Sequence, residues 1–231
     1  MKNSKDYSPK IEKLFKALRK EAGPASPPRY NDPVEAVVYA FVSAFTTEAN
    51  AGKICRRIRD HFVDMNDLRV SRQEEILEVF GDASEAASAS AQALIKTLNA
   101  VFEKYDKVNL LPLTAEGKRQ ARKELDEIAG ITPFVAAYTF LTALGGHAIP
   151  LTDKMAAYLR EHKLVHPDAT VPEIESFLER HISAADAYTF YALLRAETEG
   201  GVKPARTKAA SRPTAKYAKK KKTTKKKTPK K

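Results

Sequence analysis

Apolar residues return at intervals of three and four along nearly all of residues 1–200, and no segment alternates convincingly with period two. That spacing lines side chains along one face of a helix but scatters them over both faces of a strand. The chain is therefore expected to be all-α, with no sheet. In "SPKIEKLFKALRKEAG", Ile11, Leu14, Phe15 and Leu18 share a face, Gly23 ends the helix, and "PASPPRY" is a Pro-rich connector. "NDPVEAVVYAFVSAF" opens with Asn31 or Asp32 as cap and Pro33 at the first helical position. The nearly unbroken apolar run behind them predicts a central core helix. Further helices are expected near 49–62, 71–80, 84–105, 114–129, 133–144, 153–162, 171–181 and 183–197. Ser71 with Glu74, Thr114 near Gly117, and Thr170 or Val171 ahead of Pro172 and Glu173 read as start signals.

Composition narrows the class. Apolar residues make up 43% of the 231, enough for a core. No apolar run approaches the roughly 20 residues of a bilayer span, and "MKNSKDYSPK" lacks the apolar stretch of a secretory signal. The expectation is a soluble, intracellular protein with no membrane partner. Cys55 is the only cysteine, which excludes an internal disulfide, a cysteine-based zinc cluster and a four-cysteine iron–sulfur cluster. It sits in an apolar and basic helix and reads as buried rather than reactive. His162 and His166 are four apart beside Pro167, but no Glu or Cys completes a ligand set, so neither metal nor other cofactor is expected.

Charge is distributed unevenly. Of the 40 Lys and Arg residues, 14 follow Val202 with no acid among them; the 26 left stand against 29 acids, a net charge of −3 for residues 1–202. The last 29 residues, "KPARTKAASRPTAKYAKKKKTTKKKTPKK", lack the apolar side chains that would offset the entropy of ordering and are expected to be disordered. Lys219, Lys220, Lys221, Lys222, Lys225, Lys226 and Lys227 form a cationic arm suited to sequence-independent phosphate binding. The alternatives are a solubilising or targeting tail.

Three stretches, in this order, carry a resemblance: "PVEAVVYAFVSAFTTEANAGKICRRI", "SAQALIKTLNAVFEKY" and "ELDEIAGITPFVAAYTFLTALGGHAIPLTDKMAAYL". Together they resemble the endonuclease III-like superfamily of helix-hairpin-helix DNA glycosylases, over about residues 30–197. The resemblance implies a two-lobed all-α fold. A six-helix lobe over 30–149 would carry the hairpin; a second lobe would combine 1–29 with 150–201, and 202–231 would form the tail. The cleft between the lobes takes a base flipped out of the duplex.

The resemblance also assigns roles. The turn "IAGITPF" corresponds to the hairpin whose backbone N–H groups bind a DNA phosphate, through Gly130, Ile131 and Thr132. Thr132 stands where the family has a second glycine, and Pro133 has no N–H to give. Read locally, Thr132 is equally an N-cap and Pro133 the first residue of an ordinary helix. Phe134 occupies the position of the lysine that forms a Schiff base in members that also cut the backbone, so that lyase route is excluded. Asp153 matches the catalytic Asp, whose carboxylate stabilises positive charge on the sugar as the base leaves. It also suits the cap of the helix "KMAAYLREH", together with Thr152. Phe45, in "VSAFTTE", is either a wedge filling the space left by the flipped base or a core residue; Glu48 is a cap or a loop acid.

The functional expectation is a monomeric, duplex-DNA-associated, monofunctional DNA N-glycosylase. Its alternatives are a non-catalytic DNA-binding or chromatin-associated protein that keeps the fold, and a helical protein-interaction domain with a basic tail.

Overall fold

The computed structural model describes residues 4–200. Among them there are twelve helices and no strand. The Lys219–Lys227 expectation lies outside the described residues.

Helix α1 (Ser4–Ala22) ends at Gly23, whose N–H closes on the Arg19 carbonyl at 2.9 Å with φ +77°. The connector leads to α2 (Pro33–Phe45), which is capped by Asp32 through the Val34 N–H. Asp32 also accepts the Leu110 N–H at 2.9 Å, tying the start of α2 to a distant loop. Val34, Val37, Val38, Phe41 and Val42 of α2 are all buried, as a core helix requires. There follow α3 (Glu48–His61), α4 (Met65–Val70), α5 (Gln73–Phe80), the long α6 (Glu85–Tyr105), the single turn α7 (Pro112–Ala115), α8 (Lys118–Asp126) and α9 (Pro133–Thr142). The chain ends its described part with α10 (Asp153–Glu161), α11 (Val171–His181) and α12 (Ala187–Thr198).

Contacts sort the helices into two groups. Helix α2 packs against α3, α6 and α9, with α4 and α5 on α6 and α8 on α9. Helix α1 packs against α11 and α12, and α10 lies on the same pair. Contact between α9 and α12 joins the groups, and one continuous core of buried side chains runs through both.

Several local expectations need correction. Ser71 does not start α5: its hydroxyl donates to the Asp67 carbonyl and closes α4, while Arg72 precedes α5 without a side-chain bond. Thr114 likewise bonds backward to Leu111. The helix expected over 114–129 breaks at Glu116–Gly117, leaving α7 and α8. The last helix begins at Ala187; residues 183–186 form a turn in which Ser183 and Asp186 bond each other. Thr170 and Glu173 do form a reciprocal capping box.

Candidate functional site

The hairpin is α8, the turn at residues 127–132, and α9. Gly130 adopts φ +89°, a conformation that a side chain resists. A Cβ there would lie 2.9 Å from Thr97 Oγ1 and 3.0 Å from Lys96 Cβ, so the turn rests directly on α6. Gly130→Ala is therefore expected to destabilise the fold by about 1–3 kcal/mol, read as a lowered urea midpoint. An unchanged midpoint would show that the turn can move off α6.

Thr132 is extended (φ −96°, ψ 157°), so no glycine is needed at that position. Its hydroxyl accepts the Val135 N–H at 3.3 Å and caps α9, with Pro133 at the first helical position. The Ile131 N–H is used inside the turn, donating to the Ile128 carbonyl at 3.2 Å. The N–H groups of Gly130, Thr132 and Phe134 make no hydrogen bond among the described residues. The turn is thus satisfied as a helix cap and still holds three backbone donors at the positive end of α9.

Phe134 is buried, with its ring 6.2 Å from that of Tyr138. Tyr138 stacks on Tyr39 of α2 at 5.4 Å and meets Tyr191 of α12 edge-on at 5.7 Å. Its hydroxyl is 3.0 Å from that of Tyr30. These rings join α2, α9, α12 and the connector into one aromatic wall. Burial pushes the phenol pKa values of Tyr30, Tyr39, Tyr138 and Tyr191 upward, so the wall stays neutral.

The loop between α2 and α3, which carries Phe45, is locked from α12. Arg195, 4% exposed, donates through Nη2 to the carbonyls of Ser43 and Thr46 at 2.7 and 2.6 Å, while its Nε pairs with Glu199. The Glu199 carboxylate accepts the Glu48 N–H at 3.1 and 3.2 Å, and the Tyr191 hydroxyl donates to Glu48. Burial raises the Glu48 pKa, and Arg195 opposes the shift. Thr47, not Glu48, caps α3. Phe45 is half-buried with its ring stacked on Phe80 at 5.3 Å. Neither Arg195 nor Glu199 stands out in the sequence beyond an Arg–Glu pair spaced i, i+4 at the end of an apolar helix.

Asp153 is the first residue of α10, not its cap. Thr152 caps the helix, its hydroxyl accepting the Met155 N–H at 3.3 Å. The Asp153 side chain is exposed and makes no hydrogen bond or ion pair with a described residue. The segment leading to it is held by Glu175, which accepts the Leu151 N–H at 3.3 Å. Burial, aided by Glu179, pushes the Glu175 pKa up to about 7. Because the folded state binds that proton more tightly than the unfolded chain, the group's stability cost is largest above pH 7 and fades as pH falls. Glu175→Gln is expected to raise Tm at alkaline pH, with the advantage shrinking as pH drops through about 7. An advantage that grows on acidification would contradict this.

The Cys55 thiol is buried, and burial pushes its pKa up to about 11. Among the described residues no cluster of three or more His, Cys, Asp or Glu side chains could hold a metal ion. Among them, too, no helix is long and apolar enough to cross a membrane.

No protein-family model matches the sequence, and no curated protein matches it. Solved structures do match in shape. A trapped endonuclease III–DNA covalent intermediate superposes with a TM-score of 0.66 at 18% identity, over 82% of this chain and 84% of that one. The Clostridium acetobutylicum 8-oxoguanine glycosylase/lyase, in complex with duplex DNA containing cytosine opposite 8-oxoguanine, gives 0.65 at 16% identity, over 87% and 72%. A thermostable thymine-DNA glycosylase gives 0.55 at 12% identity, over 85% and 86%. The fold is that of the helix-hairpin-helix DNA glycosylases.

Proposed function

We propose that this chain is a duplex-DNA-binding protein of the base-excision type, a monofunctional N-glycosylase that uses Asp153 to assist loss of a flipped base. The observation that carries the reading is the division of labour at the start of α10. Thr152 performs the capping, so the Asp153 carboxylate has no structural partner and is accessible at the positive end of a helix. A carboxylate so placed can stabilise charge developing at the sugar C1′ or orient water toward it. Backbone donors at the Gly130 turn suit a phosphate, and the Lys-rich arm after Val202 supplies salt-sensitive affinity for the duplex. The cleft that receives the base is proposed to lie between the α2–α9 group and the group of α1 and α10–α12.

One observation favours a second reading, a DNA-binding module that keeps the fold without the chemistry. Phe134 and the tyrosine wall fill the space beside α9 with packed rings rather than with a polar pocket.

The test is a panel of duplexes, each carrying one damaged or mismatched base, incubated with the protein and then treated with alkali. Breaks that need alkali, without borohydride-trapped protein–DNA adduct, support the monofunctional enzyme. Binding to every duplex without breaks at any lesion favours the module.

A further inference from the structure

A basic surface lies at the end of the hairpin opposite the turn. Helix α8 begins with no acid in its first turn and places Lys118, Arg119, Arg122 and Lys123 within six residues. This contrasts with the net charge of −3 over residues 1–202. Two open cavities flank these cations. One, of about 630 Å³, is lined by Gly117, Lys118, Arg119, Gln120 and Lys123. The other, of about 510 Å³, runs from Lys118 and Arg119 past Arg122 and Phe140 to the loop Gly145–His147. No acidic side chain lines either cavity.

The surface is braced from behind. Lys118 Nζ donates to the Leu144 carbonyl, which ties the loop after α9 to the start of α8. Arg122 pairs with Asp126 and lies 5.6 Å above the Phe140 ring. A Cβ on Gly146 would come 2.1 Å from that ring, so only glycine lets the loop close this tightly. Lys123 reaches Glu127 only at 3.8 Å, and Arg119 is exposed with no partner among the described residues.

We propose that this face binds backbone phosphates of a second duplex segment, separate from any duplex at the Gly130 turn. The inference rests on the duplex-binding reading given above. Its geometry follows from the hairpin. The unpaired N–H groups at the start of α9 point along its axis, so a phosphate taken there lies beyond the N-terminal end. The ten residues of α9 span about 15 Å, and the Gly145–His147 loop follows its far end. A duplex at the turn and a duplex at the basic face therefore approach from opposite ends. Polyanionic backbone matches this cation-lined surface, in which Arg119 has no partner among the described residues and no acid lines either cavity, and one molecule would bridge two segments.

The full-length chain tests this with a photo-crosslinker attached to Gln120→Cys, since Cys55 is buried and spared; a parallel probe sits at Ala129→Cys in the turn. The expected result is crosslinking of duplex DNA from both positions. Arg119→Glu with Lys123→Glu should cut the yield at position 120 by about tenfold or more and leave that at 129 unchanged. A chain carrying both probes should attach to two duplexes of different length. Crosslinking at 129 but not at 120, capture of a poly-glutamate peptide in place of DNA at 120, or both probes on one short duplex would each overturn the proposal. Failure at both positions would overturn the duplex-binding reading with it.

Discussion

Arg195→Met is expected to lower the free energy of unfolding by about 3–5 kcal/mol, the usual consequence of removing one partner from a buried ionic cluster. Methionine fills similar space, so lost volume is not the cause. The variant leaves the carbonyls of Ser43 and Thr46 without their donor and removes the cation from Glu199, whose side chain is only 11% exposed. Glu48, already raised by burial, also loses the charge that opposed the shift. Its folded-state pKa then climbs further above the unfolded value, so the folded state gains stability as pH falls and the deficit shrinks on acidification. Urea denaturation near neutral and near acid pH reads both effects. Adding Glu199→Gln should recover part of the loss, because it removes the carboxylate left unpaired. A change below about 1 kcal/mol would assign Arg195 the small worth of a surface pair.

If Asp153 assists base loss as proposed, Asp153→Asn is expected to slow base release by about 10²–10³-fold, the scale of losing one preorganised electrostatic group at a reacting centre. The substitution keeps shape and removes charge. Stability should change by no more than about 1 kcal/mol, since the side chain contributes only its interaction with the helix dipole. Thr152→Ala has the opposite profile: about 1 kcal/mol of stability lost with the cap, and base release retained. Single-turnover rates beside unfolding midpoints separate the two roles that adjacent residues share.

The helical class and the core position of α2 were legible because periodicity and the Asp32–Pro33 start signal agree with burial. The short helices were not. Six residues in α4 and four in α7 give too few turns for a periodic signal, and tertiary packing holds them in place. Ser71 and Thr114 misled for a related reason: a hydroxyl that caps the next helix can equally bond back to the preceding one. At α10 the ambiguity was a single residue, and only backbone geometry assigns the cap to Thr152. The Arg195 cluster was out of reach, since its partners Ser43 and Thr46 lie 152 and 149 residues away. At the hairpin, the Gly130 turn was legible. The compatibility of Thr132 with extended backbone, and the donors left at Gly130, Thr132 and Phe134, emerged only with the fold.

The proposed function requires a partnerless carboxylate on this fold to assist loss of a base. Its most direct test is a single-turnover measurement of free base released from a panel of lesion-bearing duplexes by wild type, Asp153→Asn and Thr152→Ala side by side. The expected result is release by wild type on at least one lesion, comparable release by Thr152→Ala, and loss in Asp153→Asn with duplex affinity retained. Release that persists in Asp153→Asn, or no release by wild type from any duplex it binds, would contradict it.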